Sequence, residues 1–299
     1  MMLSDRPCYD RDDGSMLGER SARGADFARQ ILDTAAPFLS KPAAELDVLD
    51  VGCGYGHTTL ALAARCRRVV GIEPSGWLFE HAAKLARCQE PPRPSSPTPL
   101  PRGKRREDEI FFPQGESNEE AGESEKGRGT RGETHWLNLE FRHESIYEHR
   151  EREAFDLVVL DNVFEHLPDQ PRALKIISAT LRVGGVLFLL APNKFWPIEV
   201  HYGLPMLSYL PLGLANRYLR WTGRGTDYTD ASYAPTWFSL NRMLRARPEL
   251  SFRYVLPAHL ELATAGRSFH YRLGAALIRR IPWLWAVSKS LLVIARREA

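Results

Sequence analysis

The chain has 299 residues, 43% of them hydrophobic, enough for one large domain with insertions or two small ones around a sizeable core. Its net charge of +3 is too slight to argue for a nucleic-acid partner by itself. Four cysteines, Cys8, Cys53, Cys66 and Cys88, show neither C-x-x-C spacing nor a neighbouring His cluster, which speaks against a metal site or disulfide framework and for a reducing cytoplasm.

Ser4-Asp5-Arg6 and Arg11-Asp12-Asp13 are too polar for a signal peptide, and no apolar run reaches the roughly 20 residues of a membrane span. A soluble or peripheral protein is expected. Residues 1–23 lack a clear period and read as a partly ordered arm. Phe27, Ile31, Leu32 and Phe38 then recur at helical spacing ahead of Pro42, predicting a helix over 24–39.

The organising stretch comes next. Leu46 to Val51 reads as a short apolar strand, Gly52, Gly54 and Gly56 as a turn, and Thr58 to Arg65 as a helix. Glycine lets a backbone turn sharply and approach a ligand, and the following helix offers unpaired N–H groups. A second strand, Arg68 to Ile72, ends in Glu73, about 20 residues beyond the glycines. That is where open α/β sheets set a carboxylate against ribose hydroxyls. The plainer alternative is a solvated glutamate at a loop end. G-x-G-x-G is neither the dinucleotide nor the phosphate-loop pattern, and no lysine follows it, so an adenosine ligand without phosphates fits better.

A helix is predicted over Trp77 to Arg87, after which residues 89–134 are rich in proline, glycine and mixed charge. Such a segment buries too little apolar surface to offset its ordering entropy and is expected to be a disordered insertion. Trp136 to Phe141 makes a third strand, and Phe155 to Leu160 a fourth, apolar throughout as a strand buried on both faces should be. The fourth ends in Asp161 and Asn162, at the sheet edge where ligands bind. Leu174, Ile177 and Leu181 mark a helix, and Gly184-Gly185 turns into a fifth strand, Val186 to Ala191.

Residues 193–239 form a long excursion dense in aromatics and prolines, read as a substrate lid or, for any one aromatic, as a satellite core. Its apolar run Leu204 to Leu212 precedes Arg217, Arg220 and Arg224, a pairing that suits a membrane surface or lipid-linked substrate as well as ordinary lid packing. Leu240 to Leu244 reads as a helix, Phe252 to Leu256 as a sixth strand, Leu273 to Ile281 as a helix and Ser290 to Ala295 as the last strand. Trp283 and Trp285 are expected to pack at the start of that strand, with contact to a bilayer as the alternative.

Four motifs in order resemble those of class I S-adenosylmethionine-dependent methyltransferases. They are Val48 to Gly56, Val70 to Ser75, Asp156 to Leu167 (similar to the ubiquinone-biosynthesis-like branch) and Leu181 to Leu189, where Val183 stands in place of the usual proline. The resemblance covers most of residues 24–194. It implies a doubly wound, mostly parallel seven-stranded sheet, Rossmann-like, with the last strand antiparallel beside the fifth.

It also implies S-adenosyl-L-methionine as cofactor. The backbone near Gly52, Gly54 and Gly56 would lie along its methionine portion, Asp50 would orient the turn or the amino group, and Glu73 would hold the ribose. Ser145 or Glu144 would meet the adenine amino group; Ser145, with Ile146 backing the ring, is the preferred match. Asp161 and Asn162 complete the cofactor side. Tyr9 or Arg23 in the leading segment would cover it.

His166 and His201 are the candidate general bases, with a structural role for His166 as the alternative; no metal is expected. The N-P-P-Y signature of many amide and nucleobase methyltransferases is absent after the fourth strand. The implied activity is therefore methyl transfer, on oxygen ahead of carbon or nitrogen, to a small-molecule, lipid or glycan acceptor and not to nucleic acid. A non-catalytic S-adenosylmethionine-binding protein with the lid as a partner surface is the alternative, and the glycine spacing opposes a nicotinamide-dependent dehydrogenase. The expected location is cytoplasmic, with peripheral membrane contact as a further expectation, and the oligomeric state is open.

Overall fold

A computed structural model describes residues 15–88, 136–264 and 268–299. The expected insertion at 89–134, Tyr9 and Cys8 lie outside the described residues. Seven strands form one sheet: β1 (Asp47–Val51), β2 (Arg68–Ile72), β3 (Leu139–Arg142), β4 (Phe155–Asp161), β5 (Leu181–Pro192), β6 (Leu250–Tyr254) and β7 (Ser290–Arg297). Their order is β3-β2-β1-β4-β5-β7-β6. β7 runs antiparallel to both β5 and β6, while the pairings among β1 to β5 are parallel. The expected doubly wound, mostly parallel sheet is therefore present.

Side-chain alternation sorts the core into two layers. Leu49, Val158, Leu160, Leu187 and Leu189 face Leu174 and Ile177 of α4 (Gln170–Thr180) and Leu240 and Leu244 of α6 (Trp237–Arg245). Val48, Leu157, Val159 and Phe188 face Ile31 and Leu32 of α1 (Ser15–Ala35) and Leu62 of α2 (His57–Ala63). Local chemistry sets the helix starts: Asp169 accepts from Arg172 N at the head of α4, and Thr236 with Ser239 forms a reciprocal capping box before α6.

Several boundaries differ from expectation, such as β3 at Leu139–Arg142 and α8 at Ser268–Arg280, and two differ most in kind. α1 begins at Ser15, within the segment read as an arm. The periodic apolar pattern in the sequence begins at Phe27, so the first turns of this helix carry no such signal. β5 begins at Leu181, not Val186, with Gly184 and Gly185 inside it. Gly184 has φ +80°, and the register against β4 shifts between Phe155 and Leu157. The glycine pair is a bulge within the strand and not a turn before it.

The topology switches direction at β1. The chain runs from it to β2 and β3 on one side, then returns to β4 on the other, so the carboxyl ends of β1 and β4 flank a crevice. At the opposite end of these strands a charge cluster pins their starts. Asp47 accepts from Arg67 at 2.6 Å and from Arg182 at 2.8 Å; Asp156 accepts from Lys41 and Arg182, both at 2.8 Å. Burial works to raise both carboxyl pKa values, and the guanidinium and ammonium groups outweigh it and hold them below the ordinary range. The excursion after β5 has its own small core of Tyr202, Leu204, Leu207, Leu219 and Tyr228, built on α5 (Leu212–Thr222). Among the described residues no helix is long and apolar enough to cross a membrane.

Arg182→Met should leave two mostly buried carboxylates short of a partner. Breaking a fully buried pair costs about 3–5 kcal/mol, and with Arg182 33% exposed a loss of roughly 2 kcal/mol is expected. Because both carboxyl values are depressed, the loss should be present above about pH 4 and vanish as pH falls below it. Urea unfolding at pH 7 and pH 3 would show this, and an equal loss at both would refute the ion-pair account.

Candidate functional site

The glycine turn is tied to the neighbouring strand by backbone bonds, since Gly52 N and Cys53 N both donate to Ile72 O, at 2.8 and 3.1 Å. All three glycines have positive φ, +66°, +54° and +79° for Gly52, Gly54 and Gly56. Their surroundings differ. A Cβ on Gly52 would strike Val163 at 2.8 Å, and one on Gly56 would strike Phe141 at 2.8 Å. A Cβ on Gly54 would meet nothing within 4 Å. Gly52 and Gly56 are required by packing, whereas Gly54 presents its backbone to the crevice.

Glu73 sits at the end of β2, 5% exposed, and its two oxygens accept from Gly54 N at 2.9 Å and Ser75 N at 3.0 Å. Burial raises its pKa above the ordinary value, against the pull of those two N–H groups. Asp50, at the end of β1, accepts from Thr59 Oγ1 at 2.7 Å, and burial, then the charges of Asp161 and Glu73, push it up to about 7. Three carboxyl groups on three adjacent strands thus gather at the crevice. Such a cluster suits a ligand carrying ammonium or sulfonium charge and repels a pyrophosphate.

The remaining cofactor-side expectations are placed along the same edge. Asn162, at φ +55°, donates to Asp161 Oδ1 at 2.8 Å. Ser145 and Ile146 follow β3, on the side of β2 away from β1; Ile146 is buried in the core and Ser145 Oγ accepts from Tyr147 N at 3.3 Å. Glu144, the other adenine candidate, is held by His149 at 2.7 Å. Arg23 donates to Leu262 O at 3.1 Å, joining α1 to α7 (Leu260–Thr264).

A second cluster lies just past β4, where the excursion folds back. His166 Nδ1 lies 3.1 Å from Asp230 O, and Gln170 donates to Tyr233 O at 2.7 Å, so residues 230–233 rest on the 3-10 turn Phe164–His166. His201 comes from the start of the excursion, its ring centroid 5.4 Å from that of His166. Its Nδ1 lies 2.7 Å from Glu199 Oε1, while Glu199 Oε2 accepts from His201 N and Tyr202 N. Between the imidazoles sits Glu165, 0% exposed, with Oε1 3.8 Å from His201 Nε2 and 3.9 Å from His166 Nε2. Neither Glu165 oxygen has a hydrogen-bond partner among the described residues.

Burial pushes the Glu165 carboxyl up to about 7, against the two imidazoles. Burial would lower His166, but the Asp230 hydrogen bond and the Glu165 charge raise it overall. One ligand atom each from Glu165, His166 and His201 fall within 4.8 Å of one another, a spacing that also suits a divalent cation. The cysteine spacing that speaks against a metal does not bear on this trio, which contains no cysteine.

Four contributors were not identified from sequence: Thr59, Glu165, Glu199 and Asp230. Glu165 adjoins His166, and Glu199 stands two residues before His201 in a loop, which is the only local signal either carries. Thr59 and Asp230 carry none. A depression lined by Lys175, Ser178, Arg247 and Arg297 lies at the opposite end of β5 from the glycine turn; a smaller one, lined by Asn193, Glu199 and Tyr228, lies beneath the excursion. Only the second adjoins these groups.

A family profile described as "Methyltransferase domain" matches residues 21–248. No curated protein matches the sequence. Among solved structures, the plantazolicin methyltransferase BpumL in complex with SAH aligns at a TM-score of 0.51 and 12% identity, over 99% of this chain and 94% of that one. BpumL in complex with a pentazolic desmethylPZN analog and SAH aligns at 0.51 and 13%, over 96% and 90%. The YcgJ protein from Bacillus subtilis aligns at 0.47 and 11%, over 93% and 99%. At such identities the BpumL likeness is one of fold.

Gly54→Ala should cost only the strain of a positive φ, about 1–2 kcal/mol, yet weaken S-adenosylhomocysteine binding roughly ten-fold or more. Gly56→Ala should destabilise more, because Phe141 must also move. Calorimetric titration with thermal melts separates the two, and an unchanged affinity in Gly54→Ala would discard this contact. The ligand-free protein should also lose stability as pH rises from about 4 to about 7. Asp50 and Glu165 have raised folded values, so the folded state binds more protons than the unfolded one across that window; His166 acts in the same sense. Asp50→Asn should flatten the melting-temperature slope, and an unaltered slope would contradict the assignment.

Proposed function

The chain belongs to the methyltransferase-domain family, with S-adenosyl-L-methionine as methyl donor, and from that premise we propose that it methylates a hydroxyl oxygen of a small-molecule, lipid or glycan acceptor. The cofactor supplies a methyl group on positively charged sulfur, already activated toward attack. The protein's tasks are therefore to bind, to align and to manage one proton. Gly54, Asp50, Glu73 and Asp161 hold the cationic and ribose portions, with Asn162 beside Asp161. Ser145 and Ile146 meet the adenine.

One observation carries the choice of oxygen: the Glu199–His201 pair beside Glu165. With Nδ1–H donated to Glu199, the Nε2 lone pair of His201 points toward Glu165 and the second cluster, where it can take a proton from an acceptor hydroxyl. His166, with its Nδ1 held against Asp230 of the returning lid, is assigned a structural part. Its role is to orient Glu165 and the returning lid. The excursion at 193–239 covers this end of the sheet and excludes water. Of its aromatics, Tyr202 and Tyr228 build its own core, while Phe195, Tyr209 and Trp221 are exposed.

A second reading rests on the 4.8 Å grouping of Glu165, His166 and His201. A divalent cation there would hold the acceptor hydroxyl in place of a base. Each imidazole already has its Nδ1 against an outer oxygen, as metal-bound histidines do.

His201→Asn should lower kcat roughly 100-fold, within the range a general base supplies, with S-adenosylhomocysteine affinity intact. Glu199→Gln should lower it in the same direction by less. The acceptor itself is sought by mass spectrometry of small-molecule and lipid extracts incubated with enzyme and isotope-labelled cofactor. Turnover that survives chelation supports the base. Turnover lost on chelation and restored by a divalent ion assigns the trio to a metal, and full activity in His201→Asn discards both.

A further inference from the structure

The geometry points to an interfacial docking face for anionic phospholipid membranes, formed by α8 (Ser268–Arg280), the 3-10 segment Pro282–Val287 and the adjoining rim of the lid. Leu273 and Leu277, one helical turn apart on α8, are 49% and 42% exposed. Trp283 is 65% exposed and Val287 51%, although Trp285 between them is buried. The two tryptophans of this segment therefore divide: one packs into the core, the other faces outward. An outward tryptophan beside aliphatic side chains is the composition of a membrane-interface element.

Charge selects the occupant. Residues 268–289 include Arg272, Arg279, Arg280 and Lys289 and contain no Asp or Glu. The three arginines and Lys289 are exposed. A second copy of the chain seated here by a twofold contact would set this cationic group against itself. An anionic bilayer instead attracts the cations while taking up the apolar side chains.

The segment is joined to the lid through the core. Ring contacts run from Trp285 through Tyr254 (5.4 Å), Trp237 (6.2 Å) and Phe238 (5.1 Å) to Phe195 (6.3 Å) and Tyr209 (6.3 Å). Phe238, Phe195 and Tyr209, at the far end of that chain, are exposed. Asn193, the first residue of the lid, donates its side-chain amide to Trp285 O, Ala286 O and Ser288 O at 3.2, 3.0 and 2.9 Å. Ser290 pairs with Pro192, so the segment stands at the carboxyl edge of β5. Docking this face would bring the lid rim and the mouth of the crevice to the lipid surface.

The full chain is tested for co-sedimentation with vesicles of phosphatidylcholine alone and of phosphatidylcholine mixed with phosphatidylglycerol. Binding to the mixed vesicles only is expected, weakened roughly ten-fold or more between about 0.1 M and about 0.5 M salt. Trp283→Ser and the double variant Arg279→Glu, Arg280→Glu should each reduce binding ten-fold or more at unchanged melting temperature. No vesicle binding by the wild type, equal binding to both vesicle types, or variants that bind like the wild type would overturn the inference. So would a dimer, seen by light scattering, that Trp283→Ser dissociates. S-adenosylhomocysteine binding, followed by thermal shift in the same preparations, tests the methyl-transfer reading separately and does not depend on the vesicle result.

Discussion

Everything at the carboxyl edge of the sheet depends on how Glu73 is held. Its two oxygens bridge Gly54 N–H on the turn after β1 and Ser75 N–H beyond β2, so one buried carboxylate fastens two strand ends together. Burial alone penalises its charged form, and the two donors partly offset that penalty. A side-chain amide at this position could accept with only one oxygen, and an alanine with none. Together with Gly52 N and Cys53 N on Ile72 O, these bonds fix the turn against β2 and leave the open side of Gly54 toward the crevice between β1 and β4.

The neighbouring carboxyl groups give the crevice its character. Asp50 is pushed to about 7 because burial and two like charges act on it together, with Thr59 as its hydrogen-bond donor. A ligand with a positive centre relieves that repulsion, whereas a polyphosphate adds to it. The same logic recurs in the second cluster, where Glu165 is fully buried without a hydrogen-bond partner among the described residues and two imidazoles face it. Both clusters hold buried carboxyl groups with raised pKa values, a combination found at functional sites.

The excursion after β5 joins the two clusters to the outer surface. One part is a satellite core around Tyr202, Leu207 and Tyr228 that keeps the segment in shape. Another part delivers His201 and Glu199 to the end of β4. A third is the exposed aromatic rim, which packs through Trp237 and Tyr254 against Trp285 of the 3-10 segment Pro282–Val287. Assigning the whole excursion to a single role would miss this division.

Much was legible without coordinates where local signals are strong. The apolar runs of β1, β2, β4 and β5 and the glycine spacing mark the strands and the turn, because strand burial and turn conformation are properties of a few consecutive residues, while the doubly wound arrangement followed from the resemblance to class I methyltransferases. The outward extension of α1 to Ser15 and the bulge at Gly184 were not legible, since neither has an apolar period of its own. Only the tertiary structure decided that Gly54 faces the crevice while Gly52 and Gly56 are fixed by Val163 and Phe141. Likewise, the pairing of His201 with Glu199 beside Glu165 joins residues more than thirty positions apart. Sequence patterns report which side chains can be buried; which buried charges end up facing each other depends on how separate strands and loops are brought together.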